Sequence, residues 1–145
     1  MKLLSSSFEN NGMIPVVYTC KGTNINPELH WEDVPNNTKS FCLIMDDPDA
    51  PVGDWVHWIL TNIDPSTRAI KENSHPAEAT GGLNGWNKPS YGGPCPPSGT
   101  HRYFFKLYAL DVALDSSKPF SKAELESTMK KHIIAEAVLM GKFKK

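Results

Sequence analysis

No stretch of this chain approaches the roughly 18 consecutive apolar residues that a membrane-spanning helix needs; the longest apolar run, Phe41 to Met45, is strand-sized. Net charge is nearly absent too. Fifteen Lys and Arg stand against 16 Asp and Glu, giving −1, so no overall field draws a polyanion such as nucleic acid. The only basic cluster, Lys142, Lys144 and Lys145, reads as a solvated C-terminus that also complements a helix dipole. Cysteine is sparse: Cys20, Cys42 and Cys95 are an odd number without C-x-x-C spacing, a pattern expected of reduced thiols rather than of a disulfide framework or a zinc site. The Met1-Lys2-Leu3-Leu4 start runs directly into Ser5-Ser6-Ser7, too short for the apolar centre of a secretory signal. The expectation is a cytoplasmic protein, or a mature form already trimmed.

What is present suits one folded unit. A chain of 145 residues is the size of a single domain, expected here over 1–145. Twelve prolines and ten glycines break the chain into short pieces, with no internal repeat. Strands are expected at Val16 to Cys20, Ser40 to Met45, Val56 to Ile63 and His101 to Leu110. Residues 63–98 carry many turn formers and little periodicity, and so long a loop in a compact domain is usually functional. Ser121 with Glu124 forms a capping-box pattern, which predicts a helix start. Leu125, Met129, Ile133, Ala137 and Met140 recur at helical spacing, and Gly141 sits where a helix would stop, which extends the expected helix, or a pair of helices broken near His132, toward the C-terminus.

Two segments carry chemistry. Asp46-Asp47-Pro48-Asp49-Ala50-Pro51 follows an apolar strand, and its two prolines stiffen the loop that holds the carboxylates. Close behind, His57 is nearly the only polar residue in Trp55-Val56-His57-Trp58-Ile59-Leu60; buried, it needs a partner, and Asp47 or Asp49 is at hand. The second segment, Gly92-Gly93-Pro94-Cys95-Pro96-Pro97-Ser98-Gly99, leads into a strand whose alternation puts His101, Tyr103 and Phe105 on one face and Arg102, Phe104 and Lys106 on the other. Its glycines leave backbone N–H groups free to face an anion. Each feature has a plainer reading. Asp-Pro-Asp is commonly a turn, a lone His in an apolar strand is commonly a bonded core residue, and Trp31, Trp55, Trp58 and Trp86 are core or pocket-wall aromatics first. Of the other histidines, His30 and His75 are not expected to carry a role, and His132 has a somewhat stronger claim because it falls on the expected buried helix. The rigid Gly/Pro loop beside a His-x-Tyr pair has no evident packing purpose.

Together these segments resemble the phosphatidylethanolamine-binding proteins, also called the Raf kinase inhibitor family, in their bacterial and archaeal branch. The likeness rests on Asp47-Pro48-Asp49-Ala50-Pro51, His57-Trp58, and Gly92 to Gly99 running into His101-Arg102-Tyr103. Asn26-Pro27-Glu28-Leu29-His30-Trp31 is similar to an early family element, with Asn in place of Ser. His132 to Ala137 through Met140-Gly141 resembles the branch's closing helix. The resemblance implies a mainly β fold, a large antiparallel sheet packed on a smaller one with short peripheral and C-terminal helices, and it allows Ala50–Pro51 to be cis. It implies a ligand pocket formed by Asp47, Asp49, Pro51, His57, Gly93, Pro94, His101 and Tyr103, accepting phosphate, phosphoethanolamine or a carboxylate. A C-terminal aromatic used by eukaryotic members is not carried over to Phe143.

The expected function is therefore non-catalytic binding without a cofactor. His57, His101, the Tyr103 hydroxyl and backbone N–H groups near Gly92-Gly93 would donate to the anion, while Asp47 and Asp49 hold the histidine tautomers. Two rival classes follow. A metal-dependent hydrolase would use the same two His and two Asp as ligands, although their spacing matches no recognised metal motif; a Ser98 or Cys95 nucleophile with His101 lacks the strand-to-helix elbow such chemistry uses. An interaction protein that modulates a kinase or protease would use the surface around the pocket mouth, including 63–91. Relatives of this kind can form homodimers, and no interface is legible in the residues.

Overall fold

A computed structural model describes residues 1–115 and 117–145. The elements are β1 (Lys2–Leu4), β2 (Leu29–Glu32), β3 (Ser40–Asp47), β4 (Trp55–Ile63), β5 (Ala69–Ile70), β6 (Thr80–Gly81), β7 (Thr100–Leu110), α1 (Lys122–Met129) and β8 (Ile133–Lys144). They form two antiparallel sheets, one ordered β1-β2-β5 and the other β6-β4-β3-β7-β8. The fold is thus mainly β, as the resemblance implied.

Strand β3 sits at the centre of the larger sheet and is buried on both faces, which is why Phe41 to Met45 is apolar without interruption rather than alternating. Phe41, Leu43 and Met45 join Trp31, Leu60, Phe105 and Leu107 in the core between the sheets. Cys42 and Ile44 face the other way and meet Ile59, Leu110, Leu125 and Met129, so that α1 covers part of the sheet's outer face. Each such large side chain removed from water contributes about 1.5–3 kcal/mol. The capping box is formed: Ser121 Oγ accepts from the Glu124 N–H, and Glu124 accepts from the Ser121 N–H.

Two expected elements are different. Val16–Tyr18 is a 3₁₀ turn, not a strand: Pro15 enters at φ −59° and its carbonyl accepts from Tyr18 N–H, while Tyr18 buries its ring and hydrogen-bonds Glu72 and Ser7. The helix beginning at Ser121 ends at Met129, and Ile133–Lys144 is a long edge strand pairing along all of β7. Ala137, Leu139 and Phe143 point inward while Glu136 and Val138 stay exposed. A run apolar on almost every side fits period 2 as readily as period 3.6, and the β-branched Ile133, Ile134 and Val138 favour the strand once β7 offers a partner. Gly141 is therefore no helix stop. It pairs with Tyr103 beneath Phe8 and Ile14, where an added Cβ would come within 2.5 Å of Ile14. His132 lies outside any helix, exposed and bonded through Nδ1 to Asp111 Oδ1 at 2.9 Å. The 63–98 segment contributes only the two-residue strands β5 and β6.

Candidate functional site

Strand alternation separates the two consecutive aspartates at the end of β3. Asp46 points toward α1, where its Oδ2 accepts from Lys106 Nζ at 3.1 Å and Lys122 Nζ at 2.9 Å. Burial pushes the Asp46 pKa up despite those lysines, because a desolvated carboxylate is costly. Asp47 points the other way. Its Oδ2 accepts from His101 Nδ1 at 2.7 Å and its Oδ1 from the Asp49 N–H at 2.8 Å. Asp49 does not hold a histidine, contrary to expectation. Its carboxylate accepts from Arg102 Nε at 2.9 Å, Arg102 Nη2 at 2.8 Å and the Arg102 backbone N–H at 2.9 Å, and these bonds hold its pKa down at about 2. The carboxylate loop is in this way riveted to the first residues of β7. All its peptide bonds are trans, Ala50–Pro51 included.

The opposite wall is the Gly/Pro loop. His57 Nδ1 donates to the Gly92 carbonyl at 2.6 Å; a carbonyl only accepts, so Nδ1 carries the proton and Nε2 of the neutral ring is an acceptor. Burial lowers the His57 pKa, outweighing the Gly92 bond and the Asp47 charge that raise it. The backbone N–H groups expected to face an anion are already used. Gly92 N–H donates to the His57 carbonyl at 2.9 Å and Gly93 N–H to Asn24 Oδ1 at 2.8 Å. Glycine is required here by close approach: a Cβ on Gly92 would lie 2.3 Å from the Trp86 ring, and one on Gly93 2.2 Å from the Tyr18 carbonyl oxygen.

Cys20 and Cys95 form a disulfide, with Cα atoms 5.4 Å apart. This corrects the expectation of three reduced thiols. The odd count left one cysteine over, the buried Cys42, whose thiol burial pushes up to about 12. A pairing 75 residues apart in sequence is made by the fold, and no local spacing encodes it. Cys95 is thereby also unavailable as a nucleophile.

Between the walls lies a cavity of about 210 Å³ lined by Asp47, His57, His101 and Tyr103, with Pro51, Trp55, Trp86 and Cys95 around them. Tyr103 is fully buried, and its hydroxyl has no partner at hydrogen-bond geometry. Burial first, and then the Asp47 charge, push its pKa up; the nearby Cys95 N–H works the other way. The His57 ring stands edge-on to Tyr103 and to Trp86, both at 5.2 Å, and Trp86 edge-on to Trp55 at 5.6 Å. Of the eight residues expected in the pocket, Asp47, Pro51, His57, His101 and Tyr103 meet at this cavity; Asp49, Gly93 and Pro94 do not line it, and Gly93 lines a neighbouring cavity instead. Phe143 does not reach it and packs in the core beside β7. Val52, 79% exposed at the mouth, was not foreseen; nothing in an isolated valine marks it. Cavities of about 450 Å³ between β1 and β8 and about 260 Å³ beside Trp58 are larger, but neither joins a histidine to a carboxylate. Among the described residues no group of three or more His, Cys, Asp and Glu is placed to hold a metal ion, since Asp49 turns away to Arg102.

The family profile described as Phosphatidylethanolamine-binding protein matches residues 4–144. The chain belongs to the phosphatidylethanolamine-binding family. Within it, the chain is 45% identical to a UPF0098 protein of Methanothermobacter thermautotrophicus, covering all of this chain and 99% of that one. It is also 45% identical to a UPF0098 protein of Aquifex aeolicus, covering all of this chain and 89% of the relative. Among solved structures, the putative phosphatidylethanolamine-binding protein homologue CT736 of Chlamydia trachomatis superposes with a TM-score of 0.96 at 41% identity, over 99% of this chain and 97% of that one. YbcL of Escherichia coli, described as a new member of the mammalian family, gives 0.92 at 28% identity over 99% and 98%.

Proposed function

We propose that this phosphatidylethanolamine-binding family member is a small, soluble, non-catalytic binding protein whose cavity takes the anionic end of a ligand, a phosphate monoester such as phosphoethanolamine, free phosphate or a carboxylate. The observation that carries this is the buried Asp47–His101 pair lining the same cavity as Tyr103, whose buried hydroxyl has no partner. A protonated His101 matched by Asp47 donates through Nε2, and the Tyr103 O–H donates beside it. Neutral His57 plays a different part from the one its sequence suggested. With Nδ1 held by Gly92, its Nε2 accepts, so it suits an oxyanion that still carries one acidic proton, such as a phosphate monoester monoanion. Each charge-assisted contact adds about 1.5–3 kcal/mol, and after the cost of immobilising the ligand, free phosphate is expected to bind with a Kd on the order of 1 mM.

A kinase or protease partner is a further step of the same proposal: a phosphorylated side chain entering the cavity would bring its protein against the exposed Val52 and Trp86 at the mouth. Among the described residues no helix is long and apolar enough to cross a membrane. A cytoplasmic location loses the support it drew from reduced thiols, since Cys20 and Cys95 are bonded. Calorimetric titration with phosphate and with phosphoethanolamine tests the reading. Weak heats from the native protein that vanish in His101→Ala are expected; identical heats from both proteins, or none from the native one, overturn it.

A further inference from the structure

The disulfide occupies an unusual place. Cys20 and Cys95 are both exposed residues joined by the bond. Cys95 lines the anion cavity on one side, and both cysteines line a neighbouring cavity of about 340 Å³ on the other, together with Lys88 and Trp86. The bond is a partition between the two. A cation at Lys88, which lines the second cavity together with both cysteines, favours the thiolate that departs when such a bond opens.

The bond also ties down the wall that sets the chemistry of the anion cavity. Residues 92–97 have no helix or strand of their own. They are held to residues 18–24 by Cys20 N–H donating to the Pro94 carbonyl at 3.1 Å, by Gly93 N–H donating to Asn24 Oδ1 at 2.8 Å, and by the disulfide. From this wall the Gly92 carbonyl holds the proton of His57 on Nδ1, and the Cys95 backbone lies beside the Tyr103 hydroxyl. Releasing the tie frees both groups to move, and a binding site whose donors and acceptors are no longer held in place loses affinity.

We infer that Cys20–Cys95 is a thiol–disulfide exchange site coupled to the anion cavity, so that opening it weakens anion binding; this rests on the reading of that cavity as an anion site. The reductant is a dithiol. One of its thiolates attacks a sulfur of the pair, the Cys20–Cys95 bond breaks as the mixed disulfide forms, and the displaced cysteine leaves as a thiolate. The second thiol of the reductant then closes its own disulfide and releases the other cysteine. Two electrons pass to the protein and two protons end on Cys20 and Cys95. Coupling is reciprocal: if reduction weakens phosphate binding by some factor, phosphate resists reduction by the same factor.

The test is a phosphate titration of the native oxidised protein, the dithiothreitol-reduced protein, and the Cys20→Ser/Cys95→Ser double variant. Thiols are counted under denaturing conditions as one before reduction, from Cys42, and three after. The ring ¹⁵N signals of His57 are recorded in both states. Expected are a reduced protein that remains folded, an affinity lower by about threefold to tenfold in it and in the double variant, a shifted His57 signal, and phosphate moving the reduction midpoint by up to about 30 mV, the equivalent of tenfold for a two-electron couple. Unchanged affinity with an unchanged His57 signal overturns the inference. So does a bond that dithiothreitol cannot open in the folded protein, or a reduced protein that unfolds outright, since a switch has to keep its fold. If the oxidised protein binds no phosphate, the proposed function fails by itself, and the His57 signal alone then decides the coupling.

Discussion

Replacing Asp47 with Asn separates two opposite ideas about a carboxylate inside the proposed anion site. The side chain is buried, and its Oδ2 accepts from His101 Nδ1 at 2.7 Å. Asn preserves the shape, can still accept through its carbonyl oxygen, and removes the charge. If Asp47 merely repelled the ligand, the substitution would tighten binding: an anion roughly 6 Å away is opposed by about 3 kcal/mol at an effective dielectric of about 20. The proposed function implies the opposite sign. In it Asp47 matches a protonated His101, and that ring, placed roughly 4 Å from the anion, attracts it by about 4 kcal/mol on the same scale. Losing the carboxylate removes both terms, and the nearer one dominates by about 1 kcal/mol, a fivefold to tenfold weakening. Calorimetry with phosphate, on protein whose melting curve confirms a folded state, reads this directly. Equal or tighter binding by Asp47→Asn would refute the role assigned to the pair.

The lowered His57 pKa predicts a pH dependence of stability. The folded ring resists a proton that the unfolded ring accepts at about pH 6.5, so stability present above that pH is lost as the pH falls through the window below it; urea midpoints measured between about pH 7 and pH 5 should fall, and the fall should be shallower in His57→Gln. Gly141→Ala places a methyl group against Ile14 and Phe8 and should cost about 1–3 kcal/mol, read by urea unfolding; a neutral or stabilising effect would contradict the placement of Gly141 in β8.

The convergence of the candidate residues was largely legible because their placement follows local rules. Alternation along β7 places His101, Tyr103 and Phe105 together and sends Arg102 outward, whatever packs around the strand. The stiff Asp-Pro-Asp loop had to follow β3, and Ser121 with Glu124 capped α1 as expected. What failed depended on partners distant in sequence. Asp49 and Asp47 look equivalent on paper, yet Arg102 takes one and His101 the other because they emerge from opposite faces of β7. The N–H groups of Gly92 and Gly93 looked free, but His57 and Asn24 arrive to use them.

The sequence by itself determined which residue types could handle an anion, which strand would carry them, and that a rigid loop would stand opposite, since all three follow from side-chain chemistry, strand period and the stiffness of Pro. Only the tertiary structure decided that Ile133 to Lys144 is a strand and that Cys20 finds Cys95. An apolar run suits either a helix or a strand until a neighbouring strand offers its open hydrogen bonds, and a disulfide joins whichever two sulfurs folding brings within bonding distance.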